Sequence, residues 1–232
     1  YCSTQLPQFI FQFTKRALDT RISSRAEVIY PPVASIPAGE IKKEKIILSV
    51  GRFSGFHTTK KQHILLEAFA KGVKSNHFTG WKLILAGGLL PSDKEYFKEL
   101  RHLAKGLPVE MLPNVSHDTL TDCYKRASVY WHGAGYGETD PRFMEHFGIT
   151  TVEAMSAGAV PVVFAGGGQP EIVEDRKSGF LWSSINELLD KTDNLITTHA
   201  IFETIARNAI KRSQEFGVSA FCNAFDGLLK KI

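Results

Sequence analysis

Short apolar runs separated by amphipathic stretches restrict how this chain can fold more than any other feature. The runs lie at 46–50, 81–86, 109–112, 129–132, 160–164 and 179–182. Helical patterns fill the gaps. One spans 60–74, with Ile64, Leu65, Ala68 and Phe69 on one face; a charged one opens near Pro91 and runs to about 105; a third covers 118–126, with Ser116 as its N-cap. Strands alternating with helices imply βαβ units, hence a parallel sheet with right-handed crossovers. Such sheets bury both faces. The predicted fold is therefore α/β, a Rossmann-like parallel sheet with helices on both faces. Open sheets of this kind bind ligands at the carboxyl ends of their strands. Chemistry is thus expected in the loops 51–59, 87–91, 113–117, 133–147 and 165–169.

A chain of 232 residues suits one large domain, or a domain with an appendage. The stretch 33–45 (VASIPAGEIKKEK) has the Pro, Gly and charge of a linker. The sheet domain is predicted over 46–215, and a C-terminal amphipathic helix over 216–232, with Phe216, Phe221, Phe225 and Leu228. The net charge of +4 suits a small anionic ligand and makes no case for nucleic acid. Cys2, Cys123 and Cys222 are scattered without metal-ligand or CxxC spacing, which points to a reducing compartment. No run approaches the length of a membrane span. The chain opens on Tyr1 rather than Met and carries no signal-peptide pattern, so a preceding segment is expected to be missing.

The functional reading centres on 145–171, EHFGITTVEAMSAGAVPVVFAGGGQPE. Glu145 and Glu153 bracket a Gly-containing turn into a helix. A helix N-terminus presents unpaired N–H groups and a positive dipole end, which favour an anion. Ionised carboxylates repel phosphate but accept hydrogen bonds from sugar hydroxyls. A nucleotide diphosphate sugar has a part for each. The string E-H-F-G-I-T-T-V-E, followed by A-M-S-A-G-A-V-P-V-V and G-G-Q-P-E, resembles the E-x7-E region of the family 4 (group 1) retaining glycosyltransferases, which have the GT-B fold. The resemblance covers about 46–182 well and both flanks loosely. It implies that this chain holds the C-terminal, donor-binding half.

The remaining site residues follow from that resemblance. Loop 51–61 (GRFSGFHTTKK) matches the family's G-R … K-G pattern at Gly51, Arg52 and Lys60, which places Arg52 and Lys60 on the donor diphosphate. The family glycine is replaced by Lys61, and the loop is longer by a few residues. Val115 and Ser116 match the loop that meets the nucleobase. Glu145 is expected near the transferred sugar, Glu153 on the ribose hydroxyls, and Phe147, Gly148, Ile149 and Thr150 as backbone N–H donors. Glu171 is expected to tie its loop to the sheet. His132 reads as a structural histidine, and no role follows for His146. Residues 1–32 resemble the closing part of the family's N-terminal, acceptor-binding domain; an ordinary helix and strand of the same domain fit them equally well.

No D-x-D occurs, so no metal site is expected, and Arg52, Lys60 and the helix N-terminus would offset the leaving diphosphate. No cofactor is expected besides a GDP- or UDP-linked hexose donor. The implied reaction transfers that hexose with retention to a glycan or lipid-linked acceptor, which the absent N-terminal domain would hold. The E-H-F-G-I variant favours GDP-mannose. The expected location is cytoplasmic, peripheral to the cytoplasmic face of a membrane. The alternatives are a nucleotide-sugar epimerase or phosphorylase on the same fold, or a non-catalytic nucleotide-sugar-binding domain.

Overall fold

A computed structural model describes residues 9–10, 12–17, 27–39, 42–55 and 60–230. The first described elements are β1 (Phe9–Ile10), α1 (Gln12–Ala17) and β2 (Glu27–Val28), with β1 and β2 paired in parallel. Phe11, part of the apolar run near the start, lies outside the described residues. The main body then runs β3 (Glu44–Val50), α2 (Gln62–Lys74), β4 (Lys82–Gly87), α3 (Lys94–Leu103), β5 (Val109–Pro113), α4 (His117–Arg126) and β6 (Ala127–His132). It continues through α5 (Ile149–Ser156), β7 (Val160–Phe164), α6 (Gln169–Ile172), β8 (Phe180–Trp182), α7 (Ile185–Thr197), α8 (His199–Ser213) and α9 (Val218–Leu229).

Strands β3 to β8 form one six-stranded sheet in the order β5-β4-β3-β6-β7-β8, every pairing parallel. The chain winds outward from β3 in one direction, returns, and winds outward from β6 in the other. Between the carboxyl ends of β3 and β6 the order reverses, and loops leaving the two strands diverge to leave a crevice.

Alternation along the strands fills both faces. Ile46, Leu48, Val50, Tyr130 and Val163 pack with Tyr124 of α4, Val152 and Met155 of α5 and Ala209 of α8. Ile47, Leu83, Leu85, Val129, Trp131 and Val162 pack with Leu65 and Phe69 of α2, Leu100 of α3, and Leu188 and Leu195 of α7.

The boundaries differ from the sequence reading where local chemistry intervenes. Pro91 opens a separate 3-10 turn, Pro91–Asp93, before α3 begins, because its fixed φ and missing N–H suit a first turn. Ser116 caps α4 as expected, its hydroxyl accepting from Thr119 N. β3 starts at Glu44, whose carboxylate takes Arg126 Nε at 2.6 Å and whose carbonyl takes the Ser128 hydroxyl at 2.5 Å. Further back, Val33 N donates to Phe216 O at 2.9 Å and Ile36 N to Ser156 Oγ at 2.9 Å, with both side chains buried. Phe216 sits in a 3-10 turn ahead of α9 and is buried between Tyr30 and Phe147, with ring centroids 5.3 and 5.6 Å away. It is therefore core rather than part of the last helix's face.

Candidate active site

The crevice is walled by the loop after β3 and the long connection from β6 to α5. The first wall is rigid at its base. Gly51 N donates to Ala86 O at 2.9 Å, and Phe53 N donates to Gly88 O at 2.8 Å. Gln62, buried in the first turn of α2, donates to Arg52 O at 2.8 Å and is itself held by Tyr96 OH at 3.2 Å. The backbone of Arg52 is thus fixed while its side chain is exposed. Its guanidinium has no hydrogen bond or ion pair to any described residue, which leaves a planar fork free for an anion. Residues 56–59 of this loop lie outside the described residues.

Lys60 and Lys61 diverge. Lys60 Nζ lies 2.5 Å from Glu145 Oε2, and Lys61 Nζ lies 2.6 Å from Glu138 Oε1. Lys61, the residue standing in for the family glycine, has φ 56° and ψ 34°, the left-handed region that side chains with a Cβ enter at a cost of about 1–2 kcal/mol. Glycine would adopt it freely.

Glu145 is the hub. Besides Lys60 it takes His132 Nε2 at 3.1 Å on the same oxygen. His132 ends β6 with 2% of its surface exposed. On its other side its Nδ1 lies 3.4 Å from Gln169 Nε2, and Gln169 Oε1 accepts from Thr151 Oγ1 at 3.0 Å. Burial pushes the Glu145 carboxyl up. The His132 hydrogen bond and field, together with the Lys60 ammonium, outweigh burial and hold it well below the ordinary carboxylate range. It is therefore a fixed anion, an acceptor for hydroxyls.

The turn into α5 lets this loop close on the next one. Gly148 has φ 121°, and a Cβ there would meet Gln169 Nε2 at 2.5 Å. Gly167 has φ 62°, and a Cβ there would meet Glu145 O at 2.1 Å, while Gly168 N donates to that same carbonyl at 2.7 Å. No side chain caps α5; Thr151 N and Val152 N donate to Gly148 O, which leaves the N–H groups of Ile149 and Thr150 without intrahelical acceptors at this end. Ile149 is 49% exposed at this end. The Thr150 hydroxyl is fixed by Tyr130 OH at 2.7 Å.

One turn further, Glu153 accepts from the buried Tyr124 OH at 2.7 Å. Burial raises its carboxyl above the ordinary value, partly offset by the Tyr124 bond and by His117. Val115 and Ser116, half-buried and exposed, lie just ahead of α4, so β5, α4 and α5 bring the expected nucleobase loop to the Glu153 side. Among the described residues no cluster of His, Cys, Asp and Glu is placed to hold a metal ion.

The family model for glycosyl transferases group 1 matches residues 35–212. The chain belongs to this family. The chain is 28% identical over 220 residues to the Dictyostelium discoideum GDP-Man:Man(3)GlcNAc(2)-PP-Dol alpha-1,2-mannosyltransferase, covering 88% of this chain and 42% of that protein. It is 29% identical over 231 residues to the mouse protein of the same name, covering 88% and 44%. The chain thus spans less than half the length of these curated relatives. Among solved structures, Anabaena HepE in complex with UDP superposes with a TM-score of 0.73 at 26% identity, over 90% of this chain and 58% of that one. The C-terminal domain of a group 1 family protein from Francisella tularensis gives 0.62 at 19% identity, over 82% of this chain and 97% of that domain. The fold is the C-terminal, Rossmann-like half of a GT-B glycosyltransferase.

Of the residues expected from the family pattern, Lys60 and Glu145 meet at the carboxyl ends of β3 and β6 beside the start of α5, and Arg52 leaves the end of β3 next to Gly88. Glu153 sits on the α4 side of the crevice. The Phe147 side chain is buried against Tyr30 and Phe216, so only its backbone is available to a ligand. Glu171 ties its loop to the N-terminal segment and α8 rather than to the sheet. Its carboxylate accepts from Tyr30 OH at 2.9 Å and its carbonyl from Arg212 Nη2 at 2.7 Å. His146 contacts α1 through Thr14 Oγ1 at 3.3 Å and the Phe13 ring at 5.7 Å. Sequence reasoning missed Gln62, Tyr124, Thr151 and Gln169, and gave His132 only a structural role. Each is an ordinary residue of a helix or strand, made relevant by pairing across the sheet.

Proposed function

We propose that the chain is the donor-binding half of a retaining glycosyltransferase that moves mannose from GDP-mannose to the hydroxyl of a glycan or lipid-linked acceptor. The observation that carries the reading is the convergence of Lys60 on Glu145 at the strand-order reversal, with Arg52, exposed at the end of β3, left without a hydrogen bond or ion pair among the described residues. In the free protein Lys60 is neutralised by Glu145. An incoming diphosphate offers Lys60 a second anion, and the donor sugar's hydroxyls offer Glu145 donors, so each group gains a ligand partner as the ligand seats. Arg52, Lys60 and the α5 N-terminus then stand where negative charge grows as the sugar–phosphate bond breaks. Pre-set positive groups of this kind stabilise a leaving group without a reorganisation cost. Glu153 accepts from the ribose hydroxyls, and the 115–116 loop borders the base.

The choice of GDP-mannose is supported by the mannosyltransferase relatives, named for transfer from GDP-Man to Man(3)GlcNAc(2)-PP-Dol, a lipid-linked acceptor that fits work at the cytoplasmic face of a membrane. No helix among the described residues is long and apolar enough to cross a membrane. The test is turnover by the full-length protein with GDP-mannose, GDP-glucose, UDP-glucose and UDP-N-acetylglucosamine, with and without EDTA. GDP-mannose is expected to give an α-linked product with EDTA present. A β-linked product, or turnover restored only by a divalent cation, contradicts the reading.

A further inference from the structure

We infer that Gln169 and Thr151 are positioning residues that fix the tautomer of His132, and through it the orientation of the Glu145 carboxylate. The inference rests on the proposed role of Glu145 toward the donor sugar, and it adds a chain of buried groups behind that carboxylate. Thr151 and Gln169 are fully buried, and His132 nearly so. The contacts run in one line: Thr151 Oγ1 to Gln169 Oε1 at 3.0 Å, Gln169 Nε2 to His132 Nδ1 at 3.4 Å, and His132 Nε2 to Glu145 Oε2 at 3.1 Å.

With the Gln169 oxygen toward the Thr151 hydroxyl, as the structure places it, the hydrogen bonds along this line give one assignment. A primary amide has an accepting oxygen and a donating nitrogen. The Thr151 hydroxyl donates to the oxygen, so the Gln169 –NH₂ faces His132. An N–H facing Nδ1 requires Nδ1 to be unprotonated, which places the imidazole proton on Nε2. That proton points at Glu145, which accepts it. In metal and catalytic sites the bond made at one ring nitrogen likewise sets the state of the other. A flipped tautomer would bring two N–H donors together at Nδ1. It would also turn a lone pair toward the carboxylate, leaving buried polar groups unpaired.

The fold holds Gln169 in place for this. Gly148 has no side chain where the Gln169 amide lies, since a Cβ there would meet Nε2 at 2.5 Å. The Glu145 carbonyl is held by Gly168 N at 2.7 Å, one residue before Gln169. The GGGQPE loop therefore grips the Glu145 backbone through Gly168 and its side chain through Gln169 and His132. Lys60 alone cannot fix the carboxylate, because an ammonium on a flexible stem is a point charge without directional preference.

The test has two readouts. Nitrogen-15 NMR of histidine-labelled wild-type chain at neutral pH reports the His132 tautomer directly, without any ligand. We expect Nε2 protonated and Nδ1 bare. Gln169→Glu presents an accepting oxygen to Nδ1 and should convert His132 to the doubly protonated ring; Thr151→Val frees the amide to turn over and should give a mixture. Calorimetry supplies the second readout, as the affinity ratio of GDP-mannose to GDP. Thr151→Val should lower that ratio about fivefold, the equivalent of one net hydrogen bond, and leave GDP alone unchanged. Thr151→Ser, which keeps the hydroxyl, should restore both readouts. A wild-type ring protonated at Nδ1 overturns the inference, even if a variant fails to fold. So does an unchanged tautomer in a folded Gln169→Glu. If the tautomers behave as expected but the ratio does not move, the relay's role toward the ligand is refuted; Glu145→Ala, read with the same two ligands, then decides separately whether Glu145 meets the sugar.

Discussion

Replacing Lys60 by Met removes the ammonium 2.5 Å from Glu145 Oε2 and leaves His132 as the carboxylate's side-chain partner among the described residues. The cost follows from how wet the pair is. Lys60 is 29% and Glu145 17% exposed in their side chains. An exposed pair is worth about 0–1 kcal/mol, and breaking a fully buried one costs about 3–5 kcal/mol. Partial burial places this pair between them, at about 1.5–2 kcal/mol in a Lys60→Met, Glu145→Gln double-mutant cycle. Urea unfolding of the four proteins reads it. With a slope of about 2–3 kcal/mol per molar, Lys60→Met lowers the midpoint by roughly 0.5–1 M. The Glu145 carboxyl is depressed in the fold, so its stabilisation is present above the unfolded-state value of 4.5 and is lost only as pH falls through the lower folded value. The coupling should therefore persist unchanged from pH 7 down to 5. A coupling below about 0.3 kcal/mol at pH 7 refutes the claim that Lys60 and Glu145 hold one another in the free protein.

The two glutamates should separate the two halves of the ligand. Glu153→Ala should weaken GDP and GDP-mannose alike, whereas Glu145→Ala should spare GDP or improve it by removing a nearby negative charge, and in the full-length enzyme it should cost mainly kcat. Equal loss of GDP in both variants contradicts this assignment. Because burial raises the Glu153 carboxyl, GDP affinity should begin to fall on acidification while still above pH 4.5, and Glu153→Gln should remove that step; an identical pH profile in the variant, with His117 still facing the site, counts against it. At the left-handed Lys61, thermal unfolding should find Lys61→Gly more stable than Lys61→Ala by about 1 kcal/mol, since both lose the Glu138 pair and only Ala keeps the strained Cβ. Equal melting temperatures would mean that the turn relaxes.

Most of the sheet was legible because its strands are buried on both faces and so read as uninterrupted apolar runs. Ile46 to Val50 and Val160 to Phe164 could be little else. The ends of the elements were less legible. Glu44 joins β3 through partners more than eighty residues away: Ala127 in register on β6, and Arg126 and Ser128 on its carboxylate and carbonyl. Glu145, Gly148 and Glu153 drew attention through the joint match of spacing, turn, strand and following loop to the family motif, which the two-carboxylate spacing alone would not have provided. The partners that hold those residues were not legible. His132 meets Gln169 across 37 residues, and Tyr124 meets Glu153 across 29, distances at which no periodicity in a single sequence reports contact. Lys61 carried a usable signal in hindsight. A family glycine replaced by lysine points to a backbone position that needs positive φ, and the structure places it there.

The measurement that bears most directly on the central claim is calorimetry of wild type and Arg52→Ala with GDP and with guanosine. Arg52 has a fixed backbone and a guanidinium without partners among the described residues, so its removal should perturb little except an anion site. A charge-assisted bond to phosphate is worth about 1.5–3 kcal/mol, so GDP affinity should fall by roughly 10- to 150-fold while guanosine affinity stays the same. Equal losses for GDP and guanosine, or no loss for either, would remove Arg52 from the phosphate site and with it the placement of the donor diphosphate between β3 and β6.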